Sequence, residues 1–117
     1  GLNSFAQGNG NTTSGARSSA SGNANVASGS NSMATGDGNT ASGTNSRSGG
    51  TGSVASGTNG FAYGESVTAS GNNSFAQGED VTADREGEFA RNNVNTSVLR
   101  KSAITYCNLQ QRMPLQQ

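Results

Sequence analysis

Asn31-Ser32-Met33-Ala34-Thr35-Gly36-Asp37, followed directly by Gly38-Asn39-Thr40-Ala41-Ser42-Gly43-Thr44, is two passes through one seven-residue phrase, and the recurrence of that phrase decides the fold. Each pass sets an alanine two residues ahead of a glycine. Outward from this stretch, glycine falls at Gly1, Gly8, Gly15, Gly22, Gly29, Gly36, Gly43, Gly50, Gly57, Gly64, Gly71 and Gly78, twelve consecutive positions at a spacing of seven. Alanine fills eleven of the thirteen places two residues before the same register point, and the exceptions, Thr13 and Ser48, are also small. A slower alternation lies on top, three residues before each register point. One set of heptads carries Phe5, Ser19, Met33, Arg47, Phe61, Phe75 and Phe89, and the other carries Thr12, Val26, Thr40, Val54, Thr68 and Thr82. The predicted structural unit is therefore 14 residues long, two heptads of different character.

The register outlasts the glycines. Gly87-Glu88-Phe89-Ala90-Arg91-Asn92 aligns with Asn73-Ser74-Phe75-Ala76-Gln77-Gly78 at a shift of 14, while Arg85 and Asn92 stand where glycine is expected. Thirteen heptads fit between Leu2 and Asn92, which divides the chain into a repeat domain, 1–92, and a C-terminal segment, 93–117. In the latter, Val94, Val98, Leu99, Ile104, Tyr106, Leu109, Met113 and Leu115 replace the Gly/Ala/Ser background without a helical or strand period. A cap or junction is expected there, because the end of a solenoid exposes an unpaired strand edge. Ser102–Tyr106 is the candidate covering strand and Arg100-Lys101 a solvated turn before it.

A heptad invites a coiled coil, but a glycine in every seven residues costs about 1 kcal/mol each in a helix, and Ser, Asn and Thr fill most other places. Collagen needs glycine at every third residue. Short strands of about four or five residues joined by tight turns remain, with glycine or asparagine supplying positive φ. Alternation along Ser74-Phe75-Ala76-Gln77 points Ser74 and Ala76 one way and Phe75 and Gln77 the other. The alanine column is then the inside of a narrow coil. The expected fold is all-β, a parallel β-roll or β-solenoid with about 14 residues per turn. A buried methyl returns only about 0.8 kcal/mol against about 1–2 kcal/mol of backbone entropy per residue. The column Phe5, Met33, Phe61, Phe75 and Phe89 is therefore the expected oligomer interface, since a row of exposed rings invites association.

Across its 117 residues the chain is 29% hydrophobic, a poor stock for an ordinary globular core, and only the fixed period separates it from a disordered tract. Seven basic and seven acidic residues cancel, which argues against nucleic acid as a partner. No stretch approaches the roughly 18 apolar residues of a membrane span, so no membrane insertion is expected. The single cysteine, Cys107, has no partner within the chain and is a candidate for an intermolecular disulfide.

Units such as Asn3-Ser4-Phe5-Ala6-Gln7-Gly8, Thr40-Ala41-Ser42-Gly43 and Asn73-Ser74-Phe75-Ala76-Gln77-Gly78 resemble the head repeats of YadA-type trimeric autotransporter adhesins, and similar arrays occur in phage and prophage spike or fibre proteins. The resemblance covers about residues 1–92. It implies a left-handed roll, a homotrimer packed around a common axis, and an extracellular place on a bacterial, spore or virion surface, with a host-surface receptor or glycan as the outside partner. The position before glycine is polar here, as in Gln7, Ser28, Thr35 and Gln77, where the adhesins often have isoleucine, which implies a thinner and wetter trimer core. Residues 93–117 do not match the adhesin neck, which favours a phage or other appendage fibre.

With no histidine, the commonest general base and metal ligand is missing, and neither an enzyme nor a cofactor or metal site is expected. The carboxylates Glu79, Asp80, Asp84, Glu86 and Glu88 crowd the fraying end of the array beside Arg85 and Arg91 and read as a solvated edge. Gly8-Asn9-Gly10 and Gly36-Asp37-Gly38 lack the strand and helix that make a phosphate loop. One rival reading stays open. Thr12-Thr13-Ser14, Thr40-Ala41-Ser42 and Thr68-Ala69-Ser70, with Val26-Ala27-Ser28 and Val54-Ala55-Ser56 between them, would stack into ranks of hydroxyl and methyl groups, as on ice- or glycan-binding solenoids.

Overall fold

In a computed structural model that describes residues 1–92, each 14-residue unit makes one turn of a parallel solenoid with two strands. Residues 93–117, with the expected cap and Cys107, lie outside the described residues. The long strands are β1 (Phe5–Asn9), β3 (Ser19–Asn23), β5 (Met33–Asp37), β7 (Arg47–Thr51), β9 (Phe61–Glu65), β11 (Phe75–Glu79) and β13 (Phe89–Arg91). They form a seven-stranded sheet in chain order. The short strands β2 (Thr12–Thr13), β4 (Val26–Ala27), β6 (Thr40–Ala41), β8 (Val54–Ala55), β10 (Thr68–Ala69) and β12 (Thr82–Ala83) form the six-stranded sheet opposite. Every pairing is parallel and shifted by 14 residues, so Ala20 pairs with Ala34 and Gly22 with Gly36.

The alanine column is the core. Ala20, Ala27, Ala34, Ala41, Ala55, Ala69, Ala76 and Ala83 are completely buried. Alternation within each strand accounts for this, since one residue in two points into the coil. The second strand of each turn is shorter than the four or five residues expected. Before Thr40 stands Gly38 with φ of 68°, and beyond Ala41 the N–H groups of both Ser42 and Gly43 donate to one carbonyl, that of Ala55, at 3.0 and 3.2 Å. A left-handed residue on one side and a shared acceptor on the other leave room for only two ladder residues.

The heptad glycines meet two different demands. A Cβ at Gly36, inside β5, would overlap the carbonyl oxygen of Gly50, and the residue also lies in the left-handed region with φ of 114°. Gly43 does not, and space alone excludes a side chain there: a Cβ would overlap the carbonyl oxygen of Gly57, one coil further on. The turn-forming asparagines do supply positive φ, with Asn31 at 58° and Asn45 at 57°. The close coil-to-coil contact extends to the last glycines, where Gly71 has the backbone of Arg85 against it.

A buried asparagine ladder, which the sequence reading did not single out, runs along the inside. Asn25 and Asn39 are fully buried just before β4 and β6. Asn39 Nδ2 donates to the carbonyls of Thr35 at 2.7 Å and Gly50 at 2.8 Å, while its Oδ1 accepts the backbone N–H of Ser53 at 2.8 Å. Asn25 repeats the pattern with Ser21, Gly36 and the N–H of Asn39. These amides satisfy backbone groups that the tight corner would otherwise bury unpaired. Ser53 continues the column, then Val67 and Val81 complete it with apolar contact. Thr13 and Ser48 break the alanine rule, and Ser48 pairs with Ala34 and Ala62 inside the coil with its buried hydroxyl unpartnered.

Three substitutions test this packing by thermal or denaturant unfolding of the full chain. Gly43→Ala is expected to destabilise by about 3 kcal/mol through overpacking against Gly57. Asn39→Ala strips two carbonyls and one N–H of their partners and is expected to cost roughly 3 kcal/mol. Ser48→Ala restores the column and is expected to stabilise by about 1 kcal/mol, since it removes an unsatisfied buried hydroxyl.

Candidate interaction surface

The residues on either side of the inward alanine point outward, and together with the exposed residues that end the long strands beyond a positive-φ glycine they make three register columns on the seven-stranded sheet. The first column is Phe5, Ser19, Met33, Arg47, Phe61, Phe75 and Phe89. The middle column is Gln7, Ser21, Thr35, Gly49, Tyr63, Gln77 and Arg91. The third is Asn9, Asn23, Asp37, Thr51, Glu65 and Glu79.

The five residues expected at an oligomer interface all lie in the first column, and the sheet divides them. Phe61 and Phe75 stack with ring centroids 4.7 Å apart at 2°, and Phe75 and Phe89 at 4.8 Å and 3°. In-register parallel pairing imposes this geometry, because the rings repeat at the strand spacing itself. Phe5 and Met33 stand apart from the stack, with Ser19 between them and Arg47 between Met33 and Phe61. Phe5 is 55% exposed, Met33 39% and Phe89 66%, whereas Phe61 and Phe75 inside the stack are half-buried.

Tyr63 belongs to the same surface and was not among the expected residues. Its ring packs at 6.3 Å from Phe61 and covers Gly49, where a Cβ would come within 2.6 Å of the ring. The signal was present in the sequence: Phe61-Ala62-Tyr63-Gly64 has an aromatic residue where Phe5-Ala6-Gln7-Gly8 has glutamine, and Gly49 interrupts the same column one turn earlier. Met33, Thr35, Arg47, Phe61 and Tyr63 wall a surface cavity of about 160 Å³.

The third column is polar and hydrogen-bonded along the coil axis, Asn9 Nδ2 donating to Asn23 Oδ1 at 3.1 Å and Asn23 Nδ2 to Asp37 Oδ1 at 2.8 Å. On the opposite sheet, Thr12, Val26, Thr40, Val54, Thr68 and Thr82 stand in one register column. The valines separate most of the threonines by two strand spacings, so the hydroxyl ranks of the rival reading are interrupted along the axis. Of the acidic cluster, Glu88 folds back to accept the N–H groups of Asp84 at 2.8 Å and Arg85 at 3.3 Å. Among the described residues, no three His, Cys, Asp or Glu side chains converge as a metal site would require.

No protein-family model matches the chain, and no curated protein matches it either.

Proposed function

We propose that this chain is a structural segment of a homotrimeric fibre or adhesin that projects from a bacterial, spore or phage surface, with the outer face of the seven-stranded sheet as the face through which copies of the chain associate. The observation that carries the reading is the aromatic stack Phe61, Phe75 and Phe89, half-buried at its first two rings and exposed at the third, with exposed Tyr63, Met33 and Phe5 on the same sheet. Apolar side chains grouped on one face are costly to leave in water, and covering one aromatic side chain fully returns about 1.5–3 kcal/mol. The coil interior supplies little of its own, being lined with methyl groups, hydroxyls and amides. The number three and the surface location follow from the resemblance of the heptads to trimeric adhesin heads. A receptor or glycan partner would then meet the surfaces that the trimer leaves outside, including the Thr/Val column of the short strands.

Sedimentation velocity of the full chain at micromolar concentration tests this directly. A trimer is expected, and a monomer would contradict the reading. Phe61→Glu with Phe75→Glu is expected to weaken association by two orders of magnitude or more, about 3 kcal/mol, while the far-ultraviolet circular dichroism of the coil persists because both side chains point outward.

A further inference from the structure

The order of the three columns restricts how copies of the chain can meet. When copies stand side by side around an axis parallel to the coil and point the same way, one edge of each face meets the opposite edge of the next. The first column of one copy then lies against the third column of its neighbour at the same height, and the middle column faces the axis. An antiparallel pair instead sets first column against first column.

Charge on the two edges matches the parallel arrangement. The first column carries one charged residue in seven, Arg47, in register with Met33 on one side and Phe61 on the other. The third column has carboxylates on the two strands that flank it, Asp37 at the end of β5 and Glu65 at the end of β9, with Thr51 between them. Within one copy, Arg47 and these carboxylates sit at opposite ends of their strands, four residues or roughly 13 Å apart. Between facing sheets, roughly 10 Å apart, a guanidinium and a glutamate span the gap comfortably. Glu65 is the freer of the two acids, since Asp37 already accepts from Asn23. Arg47 lines the 160 Å³ cavity together with Met33, Phe61 and Tyr63, apolar surroundings that strengthen an ion pair once a neighbour covers them.

We propose that the cavity beside Arg47 receives the Glu65 carboxylate of an adjacent parallel copy, so that this single ion pair fixes the direction and the height at which copies of the chain associate. The inference rests on the self-association reading above. It gives the lone charge in an otherwise uncharged column a specific partner, and it penalises the antiparallel alternative, in which Arg47 would face an apolar column or a second Arg47.

The test is sedimentation of four full-length chains: the parent, Arg47→Glu, Glu65→Arg and the double exchange. Each single change is expected to weaken association about tenfold or more, and the double exchange to recover most of the loss. Arg47→Met, which extends the apolar column without a charge, is expected to leave an associated species whose affinity no longer falls as NaCl is raised to about 0.5 M. A parent chain that associates while all three exchanges and the salt response leave it unchanged overturns the ion pair but not self-association. A double exchange weaker than either single change also overturns the pair. A monomeric parent overturns both readings.

Discussion

Backbone stacked directly on backbone, with every residue set against the residue 14 places away, is the constraint on which the rest of this structure depends. At Gly43 the next coil comes so close that its carbonyl occupies the place of a side chain. That approach forbids a Cβ at two points in every turn, and it is the reason for the seven-residue period. It also forces like onto like: alanine on alanine inside, phenylalanine on phenylalanine outside, asparagine on asparagine at the corner. In a solenoid each coil answers mainly to its two neighbours, so one repeated phrase is enough to build the whole rod.

The cost of such a narrow coil is a core with almost no volume, and two devices offset it. Inside, the amides of Asn25 and Asn39 satisfy several backbone groups each and so hold the corner closed. In the later turns Val67 and Val81 take over the column and exchange hydrogen bonding for apolar contact. Outside, the long-strand face carries the large side chains that the interior has no room for. The same narrowness that makes a single coil thin therefore places its apolar surface on one flat side, where another copy can cover it.

The sequence made the 14-residue coil legible because glycine and alanine at fixed offsets have only one common explanation once helix and collagen are excluded. The inward alanines and the outward Phe5, Met33, Phe61, Phe75 and Phe89 followed from strand alternation. What alternation could not show was which glycines need a positive φ as well as room for the next coil, since Gly36 and Gly43 look alike as letters and differ in φ. The asparagine ladder was hidden for a related reason. Asn25 and Asn39 sit among many asparagines that hold turns, such as Asn31 and Asn45, and burial alone separates the two groups. The expectation of about four or five residues in every strand failed on the second sheet because the corner at Gly38-Asn39 consumes residues that a repeat of seven seems to leave free. Arg47 and Glu65 became a pair of interest only once the sheet had assigned them to opposite edges of one face.

The most direct measurement of the coil register is a distance between spin labels at Gln7 and Gln77, both outward in the middle column, in chains carrying Cys107→Ser and diluted with unlabelled protein. Five coils of parallel strands separate the two sites, so a narrow distribution near about 24 Å between the backbones, broadened by the label tethers, is predicted. A broad distribution centred well beyond about 35 Å would contradict a 14-residue turn and the account built on it.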